Sequence, residues 1–178
     1  AVLNASLKDH PYEGLAVACP YAPRLSDRSP AGAKPYGSFV VDDLIPTVKK
    51  RLGSTKGGID GVSMGGRLAL LVGLAHPETF AAVGALQPAI AAGEADLFAD
   101  LLARARKQRP ALAFRLVSSE DDPFLGAVQA LSEALVARKL DHQLVVTPGP
   151  HDYIWNKGPG SYELLLWHER VMRGLTPP

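Results

Sequence analysis

The chain has 178 residues, of which 47% are apolar, 21% charged and 7% aromatic. A single core at this size buries roughly 70% of the surface of the unfolded chain, which excludes intrinsic disorder and removes any need for disulfides or a structural metal. With 19 Lys and Arg against 18 Asp and Glu the formal charge is +1, and no run of five or six like charges occurs, so a nucleic-acid partner is not expected.

Residues Gly14–Ala22 (GLAVACPYA) form a continuous apolar run closed by prolines, the pattern of a strand covered on both faces, with Cys19 as a small core residue. Leu25–Pro35 is rich in Ser, Pro, Gly, Asp and Arg and reads as a surface loop. Ser38 then caps a helix whose Val40, Val41, Leu44, Ile45, Val48 and Leu52 keep helical spacing up to Gly53, with a kink expected at Pro46. Ile59–Val62 is a short strand, and Met64–Ala75 is apolar nearly all round, as a buried helix would be.

Ala82–Leu86 and Ala113–Ser118 read as strands on either side of a helix near Ala95–Gln108. A helix at Gly126–Lys139, a strand at Gln143–Val146 and a terminal helix at Tyr162–Met172 complete the alternation. Five strands alternating with helices predict a mostly parallel α/β sheet with helices on both faces, one domain over residues 1–178, and a ligand site beyond the carboxyl ends of the strands. The longest apolar stretches, such as Leu68–Ala75, fall far short of the ~20 residues a membrane span needs. No leader of the charged-then-apolar kind is visible, which leaves cytoplasmic and secreted locations both open.

Gly61-Val62-Ser63-Met64-Gly65 has the form G-x-S-x-G at the junction of a strand and a buried helix. The pattern is weak alone and could be an ordinary glycine-rich turn. At this junction it suits a nucleophile elbow, in which small residues two positions either side of the serine avoid collisions. The helix that follows aims its amino end at the site, and the Met64 N–H could donate to an oxyanion. A serine needs a base, and the base needs an orienting group. The segment after Ala113–Ser118 offers Glu120, Asp121 and Asp122, and the segment after Gln143–Val146 offers His151. His76, His168, His10 and His142 suit other places, the last two the opposite end of the sheet. Tyr153 and Trp155 follow the base and would either line a substrate pocket or pack the loop. Arg67 reads as solvated or salt-bridged.

Gly61–Gly66 (GVSMGG), Asp122–Leu125 (DPFL), Pro148–Tyr153 (PGPHDY) and the His76-Pro77-Glu78-Thr79-Phe80 stretch together resemble the esterase D-like branch of the α/β-hydrolase superfamily. That branch includes S-formylglutathione hydrolases, feruloyl and acetylxylan esterases and mycolyltransferases. The resemblance implies an α/β-hydrolase fold, Ser63 as nucleophile, Asp122 rather than Asp121 as acid, His151 as base, Met64 as an oxyanion donor and no cofactor or metal. It implies a small-molecule ester or thioester substrate cleaved through an acyl-enzyme. Acyl transfer on the same fold and a non-catalytic binding module are the rivals. Members of that branch carry further strands and a His-Gly-rich loop that supplies a second oxyanion donor, and residues 1–62 contain no such loop. The expectation is therefore an α/β-hydrolase domain lacking amino-terminal strands, completed by a segment outside this sequence or by a second chain, or else a reduced five-stranded sheet.

Overall fold

The computed structural model describes residues 11–22, 24–53 and 57–175, so His10 lies outside the described residues. The first helix, α1 (Pro30–Ser38), begins at Ser29, whose hydroxyl accepts the Gly32 N–H, with Pro30 in the first turn, where its missing N–H costs nothing. The expected loop at 25–35 therefore ends at Ser29, and Ser38 lies inside a helical run rather than capping one. That run continues through a π-helical stretch, Phe39–Leu44, into α2 (Ile45–Leu52), which stops at Gly53 with φ 67°. Pro46 lacks the N–H that a regular turn would use, and the expected distortion takes the form of this wider turn, where the Ile45 N–H reaches the Val40 carbonyl.

β1 (Gly58–Ile59) leads through an isolated bridge between Val62 and Leu86 to α3 (Met64–Ala75). β2 (Ala82–Leu86), α4 (Ala95–Gln108), β3 (Ala113–Asp121), α5 (Leu125–Ala137) and β4 (Gln143–Pro150) follow. A short turn of helix, α6 (Tyr153–Trp155), passes through a π-helical stretch at Asn156–Gly160 into α7 (Ser161–Arg173). The four strands are parallel in the order β1-β2-β3-β4.

Alternation along the strands sorts side chains to two faces. Val83, Ala85, Phe114 and Leu116 join the larger core, with Leu68, Leu71 and Val72 of α3, Phe98 and Leu102 of α4, and Val128 and Leu131 of α5. Leu86 and Val117 point the other way, to Trp155 and Leu164. Gly73 of α3 faces Val83 and Ile59 so closely that a Cβ there would lie 2.6 to 2.7 Å from their methyls, which is what lets the helix lie on the sheet. On the second face, Arg115 is buried between the Trp167 ring, 4.9 Å away, and Glu163, which accepts from it at 3.0 Å. Burial lowers the Arg115 pKa, and Glu163 and Asp60 oppose that shift.

Two expectations for the amino-terminal part are overturned. Residues 14–22 form no strand, and Cys19 is exposed rather than in the core. An apolar run becomes a strand only when a neighbour completes its hydrogen-bond ladder, and among the described residues no strand pairs with it, leaving four strands where five are expected. No helix among the described residues is long and apolar enough to cross a membrane.

Candidate active site

Ser63 sits between the β1 segment and α3 with φ 55° and ψ −116°, a positive-φ conformation outside the left-handed helical region that a serine adopts only under constraint. The constraint is visible in the backbone. The Ser63 N–H donates to the Leu86 carbonyl at 2.9 Å, while the Ser63 carbonyl accepts from Ala89 at 2.9 Å and from Arg67 at 3.0 Å. A Cβ on Gly61 would lie 2.4 Å from the Gly65 carbonyl group, and one on Gly66 would lie 2.9 Å from the Gly61 oxygen. Gly65 faces open space, so the steric requirement falls on Gly61 and Gly66 instead of the expected Gly61 and Gly65. The Gly65 N–H bonds the Val62 carbonyl, and the Met64 N–H has no backbone acceptor among the described residues.

At the end of β3, the pairing with β4 shifts register between Ser119 and Asp121, an irregularity of the kind that re-aims side chains. The shift leaves Asp121 exposed and Asp122 buried. One Asp122 oxygen accepts from His151 Nδ1 at 2.8 Å and from the Phe124 N–H at 3.1 Å, while the other accepts from the Ser118 hydroxyl at 2.5 Å. Three donors thus meet one carboxylate whose side chain is 0% exposed, beside an imidazole that is 21% exposed. The Phe124 ring packs edge-on against that imidazole at 5.5 Å.

His151 follows β4 on the same rim. The structure brings Asp122 and His151 together, and it ties Ser63 to the rim through the Leu86–Ala89 segment; no hydrogen bond joins the Ser63 hydroxyl to the ring. Trp155 is 4% exposed, with its indole N–H shared between the Thr147 hydroxyl and the Pro148 carbonyl and its ring against Gly149 and Gly160, so it packs the turn that carries His151. Tyr153 is 76% exposed, with the Lys157 ammonium 5.8 Å from its ring centre.

Arg67 is buried and held at both ends of its fork by Glu94, with further bonds to the Arg28 and Ala89 carbonyls, so the solvated reading fails and the salt-bridged one stands. Its hydrogen bonds hold the Glu94 carboxyl below the usual carboxylate range. His168 pairs with Asp60 at 3.0 Å, His142 with Ser132 before β4, and His76 with Glu78; all three lie off this rim. Among the described residues no three His, Cys, Asp or Glu side chains gather as a metal site requires.

Sequence reasoning missed the residues that support this rim. Ser118 and Phe124 hold the carboxylate, and Gln87, fully buried with φ 44°, bonds Ser119 and Pro150. Nothing in the spacing of these residues marks them; only the fold puts them together.

Comparison with known proteins adds a family. A profile described as "Putative esterase" matches residues 19–155. No curated protein matches the sequence. Among solved structures, a ferulic acid esterase is 20% identical with a TM-score of 0.62, over 79% of this chain and 61% of that one. An S-formylglutathione hydrolase, FrmB, from Staphylococcus aureus is 17% identical with a TM-score of 0.60, over 75% and 63%. The enterobactin esterase FES from Shigella flexneri is 20% identical with a TM-score of 0.57, over 78% of this chain and 38% of its own. The chain thus spans less than two thirds of the length of each of these structures, and at such identities the likeness is one of fold.

Proposed function

The chain belongs to the putative esterase family, and from that premise we propose that it is a serine hydrolase cleaving carboxylic esters or thioesters through an acyl-enzyme on Ser63. The observation that carries the reading is the buried Asp122 carboxylate bonded to the His151 ring, on the rim where Ser63 is held at positive φ.

In this reading the His151 nitrogen facing away from Asp122 takes the Ser63 proton as the hydroxyl oxygen attacks the ester carbonyl. Asp122 keeps the ring in the tautomer whose Nδ1 carries a proton and stabilises the imidazolium that forms. Negative charge gathers on the former carbonyl oxygen, where the Met64 N–H and the amino end of α3 oppose it. His151 returns its proton to the leaving alcohol or thiol, the acyl group stays on Ser63, and the same base then activates water for the second step. Tyr153 offers an exposed aromatic face to the acyl or alcohol part of the substrate.

A fluorophosphonate probe tests the reading. Stoichiometric labelling that Ser63→Ala abolishes supports it, and a folded chain that takes no label contradicts it. A series of p-nitrophenyl esters of graded length, with feruloyl and acetylated-sugar esters beside it, then defines the acyl group. Repeating the reaction with an added alcohol separates hydrolysis from acyl transfer by its products.

A further inference from the structure

Resting on the reading of Ser63, Asp122 and His151 above, we propose that Gln87 is a positioning residue that holds the base-bearing turn in register with the nucleophile. Gln87 is the first residue after β2, between the strand end that carries Ser63 and those that carry Asp122 and His151. It is 0% exposed and has φ 44°, one of three non-glycine residues with positive φ among the described residues. Such strain persists only where the surroundings enforce it.

Its own bonds reach the ends of β3 and β4, and its chain neighbours reach Ser63. Its own N–H donates to the Val117 carbonyl at 2.6 Å, and its neighbours Leu86 and Ala89 hold the Ser63 N–H and carbonyl. Its side-chain nitrogen donates to the Ser119 hydroxyl at 2.6 Å and to the Pro150 carbonyl at 3.1 Å, and its side-chain oxygen accepts from Asn156 at 3.3 Å. Ser119 in turn accepts the Asp122 N–H at its carbonyl. The Pro150 carbonyl can only accept, so the amide nitrogen must face it. Pro150 has no N–H, and its carbonyl shares a rigid peptide plane with the His151 nitrogen. Fixing that oxygen therefore fixes the plane from which the His151 side chain departs. Asn156 also donates to the Asp152 carbonyl at 2.7 Å, so Gln87 holds the turn directly at Pro150 before the base and through Asn156 at Asp152 after it.

The test uses the full chain with Gln87→Met, similar in length but without the amide, and Gln87→Glu, which can donate to Pro150 only while its carboxyl is protonated. Gln87→Met is expected to lower kcat on p-nitrophenyl acetate by about 10- to 100-fold with KM changed less than about threefold, as misplacing a reacting group does. In Gln87→Glu the kcat relative to the unaltered chain should fall as pH rises through the introduced carboxyl's ionisation. The NMR resonance of the His151 Nδ1 proton should broaden in Gln87→Met. Rates within about twofold of the unaltered chain at every pH, with that resonance intact, overturn the proposal. If Gln87→Met does not fold, a Gln87→Glu ratio that is flat with pH overturns it alone, and a falling one supports it. If the unaltered chain takes no fluorophosphonate, the esterase reading fails, while the resonance still decides whether Gln87 positions His151.

Discussion

Asp121 and Asp122 are adjacent in the sequence and chemically interchangeable there, yet one is in water and the other is enclosed by three donors. The register shift at the end of β3 separates them. Asp122→Asn should lower kcat by about four orders of magnitude, because an amide favours the wrong imidazole tautomer, while Asp121→Asn should leave kcat within about twofold. Steady-state hydrolysis of p-nitrophenyl acetate measures both. The elbow gives a second contrast: Gly61→Ala forces a Cβ against the Gly65 carbonyl and should cost about 2–4 kcal/mol in a urea titration, whereas Gly65→Ala should cost less than about 1 kcal/mol. At this scale the sequence exposes the candidate reacting groups, because the proposed chemistry restricts them to Ser, His and Asp at recognisable junctions. Gln87, Ser118 and Asn156 stay hidden, because a hydrogen-bonding side chain has no motif until its partner is known.

Elements were legible where burial and periodicity agreed. β2 and α4 fall where their patterns put them, and α3, apolar on nearly every side, is buried from Gly66 to Leu74. β3 and β4 run beyond their apolar stretches, because Ser119, Asp121 and Pro150 are in the ladder for reasons of pairing rather than hydropathy. Residues 14–22 show the converse, an apolar run without a partner strand. The start of α1 carried its signal in Ser29-Pro30, but the polar and proline-rich surroundings read as loop. Between α3 and the loop before α4, the Arg67–Glu94 pair should contribute about 1.5–3 kcal/mol. Since Arg67 depresses the folded pKa of Glu94, that contribution is complete above the ordinary carboxylate range and is lost as pH falls through the depressed value. Urea midpoints of the unaltered chain and of Glu94→Gln should therefore differ at neutral pH and converge in acid.

Over the whole molecule, parallel strands carry every candidate catalytic group to one rim, while the two faces of the sheet are closed in different ways. One is apolar, against α3, α4 and α5; the other takes α7 partly through charge, with Arg115 on Glu163 and Asp60 on His168. Glu163→Ala should cost about 2–4 kcal/mol by leaving Arg115 buried without its carboxylate, while Arg115→Met, which removes the desolvated charge itself, should shift stability by less than about 1.5 kcal/mol; thermal unfolding checks the pair.

The chain has two tryptophans, and they occupy unlike sites: Trp167 lies against Arg115 on α7, and Trp155 lies under the turn that presents His151. In a Trp167→Phe chain a single indole emitter would remain, packed against Gly149 and Gly160 in the turn that carries His151. Its emission wavelength then becomes an optical readout of that turn, so that the proposed acylation could be sought in real time with colourless, unlabelled esters.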